Sequence, residues 1–194
     1  TAIGLSQQAE GYAEMLKHGI ISTTEHWAEL LNFDMNQIDY IALQELVAKS
    51  VKIKEDIVEQ DPFEKGIRKA LNLGHTVGHA FESLALENNR PVLHGHAVAW
   101  GIVCELYFSY CKTGFPKDKL RQTIQFIKEN YGVLTFDCKQ YDRLYEFMTH
   151  DKKNSAGIIN FTLMGNIGDI RINQSANKEE IFDILDFYRE TMGC

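Results

Sequence analysis

Four of the seven histidines fall between positions 75 and 96: His75, His79, His94 and His96. His75 and His79 stand at i and i+4 in Gly74-His75-Thr76-Val77-Gly78-His79. On a helix that spacing puts both imidazoles on one face, one turn apart. The HExxH zinc sites use the same spacing, but no Glu follows the first His here, so that motif is not present. His94 lies in Leu93-His94-Gly95-His96-Ala97-Val98, just after Pro91, at the expected start of a helix. The positive end of a helix disfavours an imidazolium, and neutral imidazole is the metal-binding form. One histidine so placed reads as a surface loop residue. Two histidine-bearing segments, both flanked by glycine and about twenty residues apart, point to a shared site.

A catalytic zinc takes three protein ligands and leaves one position open, so two histidines need a carboxylate partner. Glu14 is the candidate, flanked by apolar residues in Gly11-Tyr12-Ala13-Glu14-Met15-Leu16-Lys17. A lone buried Glu is costly unless it is paired or bound to metal. Lys17 at i+3 offers the plainer explanation, an ordinary helix ion pair. Gly74 and Gly78 would each cost about 1 kcal/mol inside a helix relative to alanine. A substrate, a cofactor or a neighbouring helix approaching the backbone would explain them. Cations gather at Lys54, Arg68 and Lys69, and again in Asp151-Lys152-Lys153-Asn154. Most such charges are solvated surface. If the stretch is helical, however, Arg68 and Asn72 share the face of His75 and form an anion-binding wall beside a metal.

These residues need helices to carry them, and helical periodicity dominates the chain. Helices are expected over Ala9–Ser22, from a cap at Thr23 or Thr24 through Leu31, and over Ile38–Gln60, ended by Asp61-Pro62. The last of these carries an apolar series of Ile41, Leu43, Leu46, Val47, Val51, Ile57 and Val58. A third block spans Gly66–Asn88 and a fourth Gly95–Thr113. Pro116 opens an amphipathic helix that ends near Tyr131-Gly132. Tyr141–His150 is a short helix. Ile158–Leu163 and Asp169–Ile172 read as a hairpin around Met164-Gly165-Asn166-Ile167-Gly168. Lys178–Met192 closes the chain as a helix with Ile181, Ile184, Leu185 and Tyr188 inward. The expected fold class is mainly α, one helical bundle domain with one small β-hairpin. No strand–helix alternation and no GxGxxG after a strand occurs, so a Rossmann unit is not encoded.

The 194 residues suffice for one core. A formal charge of -7 argues against a nucleic-acid footprint, and it leaves any anionic substrate to local cations. No apolar run approaches the roughly 20 residues of a membrane helix, and no signal-peptide pattern opens the chain. It starts on Thr1 rather than Met, as a processed product or excised piece would. Cys104, Cys111, Cys138 and Cys194 show no CxxC spacing and read as reduced cytosolic thiols, with Cys104 and Cys111 on one helix face. A cysteine zinc site is not expected.

Leu71-Asn72-Leu73-Gly74-His75-Thr76-Val77-Gly78-His79-Ala80-Phe81-Glu82 closely resembles the signature of the 3-dehydroquinate synthase family. Gly11-Tyr12-Ala13-Glu14-Met15-Leu16-Lys17, Leu93-His94-Gly95 and Asp151-Lys152-Lys153 resemble it too, and Lys54, fourteen residues before Arg68, fits its spacing. The resemblance runs from about Glu10 to the hairpin near Ile172. It implies the C-terminal, metal- and substrate-binding domain of an enzyme that converts 3-deoxy-D-arabino-heptulosonate 7-phosphate to 3-dehydroquinate and phosphate in the shikimate pathway. The implied cofactors are Zn2+ or Co2+, with NAD in the full-length enzyme, where NAD transiently oxidises a ring hydroxyl before phosphate is eliminated. By resemblance Glu14, His75 and His94 match the metal ligands. His79 matches a substrate-contacting histidine that serves proton transfer. Lys17, Lys54, Arg68 and Asn72 match substrate positions, as does one of Lys152 and Lys153, with Lys17 and Arg68 placed among the catalytic groups alongside His79. The implied assembly is a cytoplasmic homodimer.

Two departures stand out. Many members have Glu where His96 stands, which leaves its role open, and the family's NAD-binding N-terminal half is not in these 194 residues. Two alternatives remain. One is another sugar-phosphate cyclase such as 2-deoxy-scyllo-inosose synthase, or a metal-dependent polyol dehydrogenase. The other is a helical module whose metal is structural, which would close at four ligands and need no cation wall.

Overall fold

The computed structural model describes residues 2–150 and 158–194. In chain order the described elements are α1 (Ala2–Ile21), α2 (Thr24–Leu31), α3 (Tyr40–Gln60), a 3-10 helix (Ile67–Asn72), α4 (His75–Glu87), α5 (His94–Thr113), α6 (Lys117–Tyr131), a short 3-10 turn (Cys138–Gln140), α7 (Tyr141–His150), β1 (Ile159–Asn166), β2 (Asp169–Ala176) and α8 (Lys178–Met192). The fold is therefore mainly α with one antiparallel hairpin.

The bundle is built around α5. Its residues Ala97 to Leu106 are buried without a break, which is the mark of a helix surrounded on every side. Helices α1, α4, α6 and α8 and strand β1 pack against it. Capping explains most element starts. The Thr23 side chain accepts from the His26 N–H, Asp39 accepts from Ile41 and Ala42, and Asn177 forms a reciprocal capping box with Glu180. Strand β1 buries Phe161, Thr162, Leu163 and Met164 in succession, because register shifts after Phe161 and Met164 break the alternation. Ser109 of α5 holds the strand by accepting from the Met164 N–H at 3.0 Å.

Two expectations need correction. The Gly66–Asn88 block is two pieces, because Gly74 has φ +81° and ends the 3-10 helix one residue before α4 begins. Arg68 and Asn72 therefore do not share a continuous helix with His75. The hairpin is also longer and tighter than expected. Asn166 pairs with Asp169, so only Ile167-Gly168 turn the chain, and Gly165 is absorbed into a strand irregularity. The Gly168 N–H donates to Ile20 O, fastening the turn to the end of α1. The apolar series of α3 forms the expected helix and is only partly covered. Leu46 and Ile57 are buried, whereas Ile41, Val47 and Val51 are exposed. All four cysteines are free; Cys104 is buried and Cys111 exposed, although they share α5.

The closest helix contact is the crossing of α4 and α5. A Cβ on Gly101 would lie 2.0 Å from Gly74 O and 2.8 Å from Gly78 N, and one on Gly78 would lie 2.9 Å from Ala97 O. Of the three explanations for the costly glycines, a neighbouring helix is the one that the packing supplies. The same crossing admits the Glu105 carboxylate, which is fully buried and accepts the Gly74 N–H at 2.6 Å and the Val77 N–H at 3.1 Å. Glu105 thus caps α4 from outside it, where Gly74 has no side chain to do so. No described helix is long and apolar enough to cross a membrane.

Gly101→Ala should force α4 and α5 apart. We expect a loss of about 2 kcal/mol or more in urea unfolding, within the range of overpacked cores. An unchanged midpoint would contradict the contact.

Candidate metal centre

Three elements bring the site together. Helix α4 supplies His75 and His79, α5 supplies His94 as its first residue, and α1 supplies Glu14 and Lys17. Ligand-capable atoms of His75, His79 and His94 all lie within 4.8 Å of one another, and the three rings are 5.4 to 5.8 Å apart between centroids. Glu14 Oε1 lies 3.3 Å from His75 Nε2, and its other oxygen accepts from Lys17 Nζ at 2.5 Å. Lys17 is only 2% exposed, so the cation of this pair lies inside the fold while Glu14 reaches the surface at 33% exposure.

The hydrogen bonds fix the state of these groups. His75 Nδ1 lies 3.2 Å from Leu73 O, which can only accept, so the ring places its proton on Nδ1. Nε2 then presents a lone pair to Glu14 Oε1, itself an acceptor that is buried without a hydrogen-bond partner. Two acceptors at this separation are compatible only with a cation between them, or with a second proton on His75. Burial lowers the pKa of His75 despite the pull of Glu14, so the neutral, lone-pair form is favoured. Burial also opposes ionisation of Glu14, but Lys17, joined by His75 whenever its Nε2 carries a proton, outweighs it and holds the carboxyl well below the usual range. A carboxylate beside imidazole nitrogens gathered this closely is a donor set that suits a divalent metal, and these residues fit one.

The remaining candidates stand at different removes. His96, two residues from His94, turns its ring into the core against Trp100 and Tyr131, with centroids 5.9 and 5.2 Å away. The Arg68 guanidinium donates to Pro62 O, and its backbone N–H to Asp61. The Asn72 amide donates to Glu64 and lines a cleft with Lys69, Thr76 and Asn173. Lys54 is exposed and lines a mainly apolar cavity of about 390 Å³ between α1 and α3, whose wall includes Glu14, His18 and Ser50. Asp151, Lys152, Lys153 and Asn154 lie outside the described residues.

Two groups escaped the reading of the sequence. Glu82 Oε2 lies 3.2 Å from His94 Nδ1. The signal was its spacing, seven residues after His75 and three after His79, which keeps it on their face of α4. Glu105 was legible as a lone acid in the apolar run Ala97 to Phe108. His18 also matters. It is buried against Ser50 Oγ at 2.5 Å from its Nδ1, and its Nε2 has no hydrogen-bond partner.

Residues 11–154 match the model of the 3-dehydroquinate synthase C-terminal family. The chain is 61% identical to the 3-dehydroquinate synthase of Parabacteroides distasonis over 94% of its own length and 52% of that relative's. It is 38% identical to the Leptospira interrogans 3-dehydroquinate synthase, over 88% of this chain and 47% of that one. The chain thus spans about half the length of the curated relatives it matches. Among solved structures it resembles a 2-epi-5-epi-valiolone synthase from Streptomyces hygroscopicus with NAD+ and Zn2+ bound. That likeness has a TM-score of 0.77 at 17% identity and covers 94% of this chain and 51% of that one. It also resembles a 2-deoxy-scyllo-inosose synthase complexed with carbaglucose-6-phosphate, NAD+ and Co2+. Here the TM-score is 0.75 at 18% identity, covering 95% and 51%. At such identities the likeness is one of fold.

A pH dependence follows from His18. Burial and the Lys17 charge push its pKa down to about 4 from an ordinary 6.5. Between those values the unfolded chain binds a proton that the folded chain does not, so stability falls as pH drops from 6.5 to about 4. We expect a decline of up to roughly 3 kcal/mol in urea unfolding across that window, and a flatter profile in His18→Asn. An equally steep profile in the variant would contradict the assignment.

Proposed function

This chain belongs to the 3-dehydroquinate synthase C-terminal family, and on that premise we propose that it is the metal- and substrate-holding half of an enzyme that converts 3-deoxy-D-arabino-heptulosonate 7-phosphate to 3-dehydroquinate and phosphate. The observation that carries this reading is the 3.3 Å approach of Glu14 Oε1 to His75 Nε2, with His79 and His94 each placing a ligand atom within 4.8 Å of one on His75. Glu14, His75 and His94 are the proposed metal ligands. A metal bound there, Zn2+ or Co2+, would supply a Lewis acid for the substrate's hydroxyl oxygens.

The chain's own groups do the rest. Lys17 keeps Glu14 ionised from inside the fold. His79 stands beside the proposed ligand set without being one of them, where its imidazole would relay protons. Lys17, Lys54, Arg68 and Asn72, with Lys152 or Lys153, hold the substrate's carboxylate and phosphate. The chain's net negative charge makes such local cations necessary. NAD would be held by the part of the enzyme that these 194 residues do not include. The proposed setting is the shikimate pathway, in a cytoplasmic homodimer acting on a small sugar phosphate. The family membership favours this substrate over those of the other sugar-phosphate cyclases, the polyol dehydrogenases or a purely structural metal module.

A second reading has a specific observation behind it, since the three histidines alone converge within 4.8 Å. An all-histidine ligand set would make His79 a ligand and Glu14 a bystander. Elemental analysis of purified variants separates the two. We expect Glu14→Ala, His75→Ala and His94→Ala to lose bound zinc and His79→Ala to keep it. Retention in Glu14→Ala with loss in His79→Ala would favour the all-histidine set. We further expect the chain, supplied with NAD and zinc, to release no phosphate from 3-deoxy-D-arabino-heptulosonate 7-phosphate. Release by this chain alone would overturn the division of labour.

A further inference from the structure

Glu82 has no part in the reading above, yet it touches one of the proposed ligands. Its Oε2 lies 3.2 Å from His94 Nδ1, and Glu82 faces that ring from α4, the helix that carries His75 and His79. A carboxylate can only accept, so the contact places the imidazole proton on Nδ1 and leaves Nε2 as the lone pair. His75 is treated in the same way by a different group, the Leu73 carbonyl at 3.2 Å from its Nδ1. Two histidines from two helices thus hold the same tautomer, each through an acceptor the chain provides. A free imidazole has no such bias toward Nδ1–H. An unassisted His94 would turn a proton, and not a lone pair, toward the cluster for much of the time.

The position of Glu82 serves a second purpose. His94 opens α5, and the residue before it, Leu93, has no side chain to cap the helix. A carboxylate beside that end opposes the positive pole of the helix dipole. Both side chains are partly exposed, at 40% and 39%, and what sets this contact apart from a surface pair is its position, since His94 is one of only three histidines that converge among the described residues.

We propose that Glu82 is a positioning residue for the metal centre: it fixes His94 as the Nδ1–H tautomer and so directs Nε2 to the ion. The proposal rests on the reading of His94 as a ligand. Outer partners of metal-bound histidines typically contribute 10- to 100-fold in metal affinity.

The test measures zinc affinity of the purified chain by competition with a chromophoric chelator, in Glu82→Ala, Glu82→Gln and His94→Ala. Long-range 1H–15N correlation spectra of the metal-free proteins report the tautomer of each histidine. Glu82→Ala should bind zinc roughly 10- to 100-fold more weakly, with the metal-free chain still unfolding cooperatively, and its His94 should shift toward the Nε2–H form. Glu82→Gln retains an accepting oxygen, so it should lose less affinity, and it serves if the alanine variant fails to fold. Wild-type affinity and an unchanged tautomer in Glu82→Ala, with zinc lost in His94→Ala, would overturn the role of Glu82 and leave the ligand reading standing. Wild-type affinity in His94→Ala would overturn both.

Discussion

The Glu105 carboxylate sits at the point where α4 meets α5, fully buried, with two backbone N–H groups of α4 bonded to it. Burying a carboxylate costs several kcal/mol unless its lone pairs are satisfied. Here the bonds come from the positive end of the very helix that carries His75 and His79, so the charge is offset where it stands. Three glycines allow the approach: Gly74, which adopts φ +81°, and Gly78 and Gly101, whose added Cβ atoms would collide with the opposite backbone. His75 is the first residue of α4 and His94 the first of α5. The distance between the two helices therefore sets the distance between the histidines. Without this crossing, the chain would have its histidines but no cluster.

Electrostatics within the cluster follow from burial. Lys17 is nearly inaccessible, and Glu14 faces its ammonium group. The same carboxylate offers its second oxygen to His75. Glu14 is thus doubly committed, to a cation within the chain and to a lone-pair face, and it stays ionised despite its burial. The helix ion pair with Lys17 and the proposed metal-ligand role of Glu14 fall to different oxygens of one carboxylate.

The helices were legible because their apolar periods, caps and prolines agree, as α2, α7 and α8 show at nearly every boundary. The histidine cluster was legible in outline from i, i+4 spacing and flanking glycines. What escaped was set by tertiary contact. Gly74 read as an expensive interior glycine, when it is a left-handed stop that splits the block and sends Arg68 to the Pro62 carbonyl. Met164 and Asn166 read as loop because glycines surround them, when register shifts let the strands run on. Glu82 and Glu105 were visible as residues, but their partners lie 12 and about 30 positions away across a helix crossing. No local pattern encodes that pairing. His96 looked like a fourth member of the histidine group, and only the turn of α5 shows it packed against Trp100 and Tyr131.

A carboxylate and two imidazoles, from three different helices, are proposed to form one open metal site. X-ray absorption fine structure of the zinc-loaded chain tests it most directly. The expected spectrum has nitrogen and oxygen scatterers at about 2.0–2.2 Å, no sulfur, and the outer-shell scattering of two imidazoles. A sulfur shell, an all-oxygen shell without imidazole scattering, or the signal of three imidazoles would contradict it.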